Sequence, residues 1–238
     1  MRGYRNILLL IFAIFSLLFW EFGSEFTNLF NVKAFALVGL GVMVTMLLAG
    51  FDFYEFVSVF KECKNVESIS DRVSFLLYVN EQVRQKGFKV CERLVNSIND
   101  PFLKKGLRLI ADNPGPEFAF GEALVCELDK IRLRNEKFLN LIMFAANASP
   151  GIGLIGTLLG LSLNSNPSAL NHAIMTTLYG AILSNFVFLP AHEFFKEKLK
   201  KLEQVNLATY TGLIKIRDGL HSVLLAEHLS GYEHSSNF

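Results

Sequence analysis

The residues best placed for chemistry lie between Ser149 and Pro190. Thr157 ends the run Ser149-Pro-Gly-Ile-Gly-Leu-Ile-Gly-Thr157, Thr176 and Thr177 open the run Thr-Thr-Leu-Tyr-Gly180, and Pro190 closes the stretch. Three hydroxyls on two apolar spans are oxygen ligands of the kind a weak site for a hard cation such as Na+ uses. They also suit the plainer task of bonding back to carbonyls of their own helices, and spacing leaves both readings open. Pro150 has two readings as well. It kinks a membrane helix, or it frees a carbonyl about four residues upstream, near Ala146, as an ion ligand or hinge. Pro190 marks the inner end of the last apolar span or plays a similar part. Gly153 belongs to a set of small residues suited to close helix approach. The stretch contains no Asp, Glu, Lys or Arg. An ion passing here has no carboxylate of this stretch to ride on, so a partner is expected to supply the acid.

Other constellations are weaker. Gly151, Gly153 and Gly156 spell G-x-G-x-x-G, but within an apolar span rather than a strand-to-helix turn, which argues against nucleotide binding. His172, His192, His221, His228 and His234 stand apart without metal-ligand spacing. Cys63, Cys91 and Cys126 form no CxxC and read as free thiols of a cytoplasmic segment. No catalytic set, resident metal or cofactor is expected, and the chain does not read as an enzyme.

The elements that must position these residues are membrane helices. The 238 residues are 51% hydrophobic with mean hydropathy +0.35, while the charges are concentrated outside the apolar runs. A net charge of +1 gives no reason to expect nucleic acid. Four apolar spans run from about Ile7 to Trp20, Ala34 to Phe51, Phe138 to Leu163 and Leu170 to Leu189. All are near the roughly 20 residues that cross a bilayer. The first ends without a small-residue cleavage site, which argues against a signal peptide. Arg2 and Arg5, the Lys- and Arg-rich segment 52–137, and Lys196, Lys198, Lys200 and Lys201 place both ends and the long loop inside.

The expected fold is therefore all-α, a polytopic membrane protein with four transmembrane helices and a helical cytoplasmic domain between the second and third. Its parts are 1–51, the first two spans; 52–137, the cytoplasmic domain; 138–190, the last two spans; and 191–238, a cytoplasmic tail. Within the loop, apolar spacing of three and four predicts helix from Ile69 to Ile98. Asp100 reads as an N-cap with Pro101 at the first helical position, before a short helix from Phe102 to Ala111. No proline interrupts residues 117–149, so the third membrane helix is predicted to start near 117 and run about 45 residues, on the order of 65 Å. The loop looks too small and too charged for a large core of its own. The tail is amphipathic from Leu220 to Leu229.

Three motifs in order, over about residues 30–225, resemble the MotA/PomA flagellar stator family, within the MotA/TolQ/ExbB superfamily. They are Arg84-Gln-Lys-Gly87 with Glu92 and Asn99-Asp-Pro-Phe-Leu-Lys-Lys-Gly-Leu107; Ser149 to Thr157; and Thr176 to Gly180 leading to Pro190. The resemblance implies a homopentamer around a MotB/PomB-like single-span partner in the bacterial inner membrane. The partner's aspartate carries H+ or Na+, and ion influx turns the ring against a FliG-like rotor switch protein. It implies that Pro150, Gly153, Thr157, Thr176, Thr177 and Pro190 line the ion pathway, with Na+ transit at Thr157 and Thr177. It also makes Arg84 and Glu92 rotor contacts; on one helix, eight residues apart, they would share a face. The family's threonine positions favour Na+. The link 164–169 is shorter than is usual in the family. The alternative is an ExbB/TolQ-like energiser of an outer-membrane or cell-surface process, against which stand the two spans before the loop.

Overall fold

The computed structural model describes residues 16, 31–64, 66–112, 117–163 and 167–235, and every regular element among them is helical. In chain order these are α1 (Val32–Leu48), α2 (Phe53–Lys64), α3 (Ile69–Lys86), α4 (Val90–Val95), α5 (Pro101–Asp112), α6 (Glu117–Leu163), α7 (Pro167–Ile182), a π-helical turn (Leu183–Phe188), α8 (Leu189–Arg217) and α9 (Ser222–Ser235). The stretches Ala119–Ser162 and Leu170–Arg217 are long and apolar enough to cross a membrane, and Val32–Leu48 joined to Phe53–Lys64 is a third candidate. The predicted crossing from Ile7 to Trp20 falls, Ser16 apart, outside the described residues.

The chain divides into two units. The first comprises residues 1–49 and 144–189. Its helices expose apolar side chains: Leu40, Met43, Leu47, Leu154, Leu158 and Phe186 are all exposed. Asn31 caps α1 by accepting the Ala34 N–H at 3.2 Å. The helix stops at Leu48, three residues before the predicted Phe51. Gly50 there takes φ +87, a left-handed conformation that glycine adopts without the penalty a Cβ brings. Val38, Val42 and Ala145 form a small core with Ile152 and Tyr179 packed on it.

The second unit, residues 50–143 and 190–238, corrects two expectations. The predicted helix from Ile69 to Ile98 is broken, because Gly87 ends α3 at φ +76 and ψ 174, where a side chain is strained. The apolar spacing continues across the break, and so concealed it. This unit also has a large core. Leu76, Leu107, Phe120 and Leu124 pack with Val205, Leu213, Ile216, Leu225 and Leu229, so the tail completes what 52–137 alone lacks. Arg72 is buried within the unit. Its guanidinium donates to Glu67 at 2.9 and 3.2 Å, to Thr209 Oγ1 at 3.1 Å, and to Asp100. Paired and hydrogen-bonded, it meets the condition on which a buried charge is tolerated. Asp100 also caps α5, its Oδ1 accepting the Leu103 N–H at 3.0 Å. α6 runs 47 residues, close to the predicted length.

Candidate functional site

In the first unit α6 and α7 meet through glycines. A Cβ built on Gly153 would lie 2.7 Å from the Thr176 carbonyl oxygen and 3.1 Å from Thr177 Cα. One on Gly180 would lie 2.6 Å from the Ser149 carbonyl oxygen. Real Cβ atoms do not come so close to backbone, so only glycine permits this approach. One on Gly156 would crowd the Thr176 side chain at 3.0 Å.

That approach brings the three predicted hydroxyls together. Thr157 Oγ1 lies 3.2 Å from Thr176 Oγ1 and within hydrogen-bond reach of Thr177 Oγ1. It can donate to the Gly153 carbonyl at 3.0 Å or to the Ala173 carbonyl, across to α7, at 2.8 Å. Thr176 Oγ1 reaches the same two carbonyls, Gly153 at 3.1 Å and Ala173 at 2.6 Å. Thr176 is buried, Thr157 half-buried and Thr177 exposed. Three hydroxyl and two carbonyl oxygens thus converge from two helices. Thr157 has one proton and four acceptors in reach, so several lone pairs stay free to turn towards a hard cation. Among the described residues no cluster of three His, Cys, Asp or Glu could hold a metal.

Pro150 sits inside α6, exposed, and the helix runs on through it. The ring takes away the N–H that would have bonded the Ala146 carbonyl. The neighbouring Ser149, fully buried, turns its hydroxyl to the Ala145 carbonyl at 2.6 Å. Pro190 is not a helix end: α8 carries it and continues to Arg217. The π-helical turn Leu183–Phe188 comes directly before it. Pro190 would clash with the carbonyl of Phe186 in a regular α-helix, and a widened turn relieves the clash. Sequence reading missed this turn, whose signal was a proline followed by good helix formers. It also missed Asn31, whose backbone N–H donates to Tyr179 Oη at 2.8 Å and whose side chain meets His172.

The two predicted contact charges lie in the second unit. Arg84 is in the last turn of α3 and Glu92 in the first turn of α4, both exposed. They are on separate helices, with the break at Gly87 between them, so the shared-face argument fails. Neither forms an ion pair among the described residues, while α2 and α6 are tied by Arg134–Glu62 and Lys137–Glu55.

A profile of the MotA/TolQ/ExbB proton channel family matches residues 94–206, spanning α5, α6, α7 and the start of α8. A motility protein A of Borreliella burgdorferi is 31% identical over 66% of this chain, the match spanning 63% of that relative's length. Over residues 94–206 the chain is similar to the MotA/TolQ/ExbB proton channel family. The motility protein A of Treponema phagedenis is 26% identical over 88% of the chain and 85% of its own length. The fold matches the structure of C. jejuni MotAB, with TM-score 0.76 at 18% identity over 96% of this chain and 94% of that one. It also matches the flagellar MotAB stator complex of Bacillus subtilis, with TM-score 0.76 at 19% identity over 93% and 92%.

Proposed function

We propose that the chain is the MotA-type subunit of a flagellar stator, a multi-pass protein of the bacterial inner membrane with both ends in the cytoplasm. It assembles as a homopentamer around a MotB/PomB-like single-span partner. The partner's aspartate carries the ion, and the ring of hydroxyls and carbonyls at Thr157, Thr176 and Thr177 takes it up and releases it. Pro150, Gly153 and Pro190 shape the helices along that pathway. Arg84 and Glu92 meet a FliG-like rotor protein and turn ion influx into torque. The driving ion is Na+ in this reading, with H+ as the other candidate.

The observation that carries the proposal is the convergence of three hydroxyls and two carbonyls in an apolar stretch without acid. Between Phe144 and Leu189 there is no Asp, Glu, Lys or Arg. Such a site can desolvate an ion but cannot hold its countercharge, which fits a pathway completed by another chain. The test is swimming speed of a deletion strain complemented with this chain, measured against external sodium. Speed is expected to rise with sodium and to fall with Thr157→Ala. Full motility without sodium sinks the ion assignment, and normal motility with Pro150→Leu sinks the stator assignment. Charge reversal at Arg84 or Glu92 should lower torque with membrane assembly intact.

A further inference from the structure

Asn31, at the head of α1, uses three polar groups locally. Its backbone N–H donates to Tyr179 Oη at 2.8 Å. Its side-chain oxygen accepts the Ala34 N–H at 3.2 Å. That leaves the amide nitrogen for His172, whose Nδ1 it meets. An amide nitrogen only donates, so Nδ1 accepts, and the imidazole in this arrangement is neutral with its proton on Nε2. Among the described residues of the first unit the other titratable side chains are Lys33, in the first turn of α1, and Tyr179 on α7. No acid stands among those residues to offset a charge on the ring.

His172 is exposed and stands four residues before Thr176 on α7, one turn along the helix and within about 40° of it around the axis. The carbonyl of the next residue, Ala173, is already one of the oxygens gathered at Thr157 and Thr176. In the orientation set by the basic residues, this turn lies on the outer side of those oxygens, and a cation arriving from outside reaches it first. Histidine changes charge between about pH 5 and 8. A proton taken up at Nδ1 removes the acceptor of the Asn31 amide and puts a positive charge about 6 Å along the axis from Thr176. At that distance a unit charge alters the occupancy of a cation site by about threefold at the dielectric of bulk water, and by more where protein displaces the water.

We propose that His172 controls cation entry to the threonine oxygens: the neutral ring held by Asn31 admits the ion, and the protonated ring repels it. The proposal rests on the ion pathway of the proposed function and adds a residue that sets how readily that pathway fills. The test measures swimming speed against external sodium, at about pH 8 and about pH 5.5, in a deletion strain carrying the full-length chain with its partner. In the unsubstituted chain the sodium concentration that gives half-maximal speed should rise about threefold at the lower pH. His172→Gln keeps an acceptor for Asn31 and carries no charge, so its value should be the same at both pH values. His172→Lys carries the charge throughout and should show the raised value at both. Saturating sodium should restore full speed in each variant, which damage to the fold would not allow. No rise in the unsubstituted chain, an equal rise in His172→Gln, or an unraised value in His172→Lys overturns the proposal alone. Where His172→Lys fails to reach the membrane, the comparison with His172→Gln decides by itself. Speed independent of sodium overturns the proposal together with the ion assignment. Cells immotile at every sodium concentration overturn it together with the stator reading.

Discussion

Thr157, Thr176 and Thr177 were legible in the sequence as hydroxyls in apolar spans, but not as one site. What joins them is backbone contact at Gly153 and Gly180, and a glycine in a string does not say what it touches. The contact gives a sharp contrast between glycines. In Gly153→Ala the new methyl meets the Thr176 carbonyl oxygen at 2.7 Å, so α6 and α7 must part. Overpacking of this kind costs about 1–3 kcal/mol, and it also disperses the oxygens around Thr157. Gly121 lies in the same long helix with nothing within 4 Å of its virtual Cβ. There Gly121→Ala should gain about 0.5–1 kcal/mol, because the unfolded chain loses freedom and nothing is crowded. Thermal unfolding of the purified protein should show the two shifts with opposite sign. The cysteines give a second contrast. Burial pushes the Cys63 and Cys91 thiols up to about 11, while Cys126 is exposed. At pH 8 thiol labelling should modify Cys126 alone, and labelling of the other two should quicken as pH climbs towards 11. Fast modification of Cys63 or Cys91 in the folded protein at pH 8 would contradict their burial.

Among the elements, α6 was the most legible, because the absence of proline from 117 to 149 and the apolar run beyond it are both local facts. Pro150 within it left the helix intact, since a membrane helix loses one bond and keeps its neighbours. The α3–α4 corner was not legible, because Val83, Val90, Leu94 and Val95 hold helical spacing on both sides of Gly87. The decisive quantity there is one backbone angle. At φ +76 and ψ 174, Gly87→Ala puts a Cβ where only glycine is at ease, a strain of about 1–3 kcal/mol. The substitution should lower the melting temperature and, by moving α4 relative to α3, reduce torque as well. Gln85→Ala, two residues earlier at an exposed helical position, should do neither. Equal melting temperatures for the two variants would show that the corner tolerates a side chain.

At the scale of the molecule, the two units divide charge from apolar surface, and that division was visible as composition. The core of the second unit was not, because Leu76 and Leu107 find Leu213 and Leu225 more than a hundred residues away. The division has a consequence for transport. The first unit offers an incoming ion hydroxyls and carbonyls but no formal charge between Phe144 and Leu189. Moving a bare cation into such surroundings is costly unless an anion meets it there, and in the proposed function that anion is the partner's aspartate. The chain alone in liposomes should therefore pass no Na+ or H+ above the lipid background. Liposomes that also contain the single-span partner should pass one of them, and replacing the partner's membrane aspartate with asparagine should return the flux to background. Flux through the chain alone would mean that its own oxygens suffice, and the requirement for a partner's acid would fall.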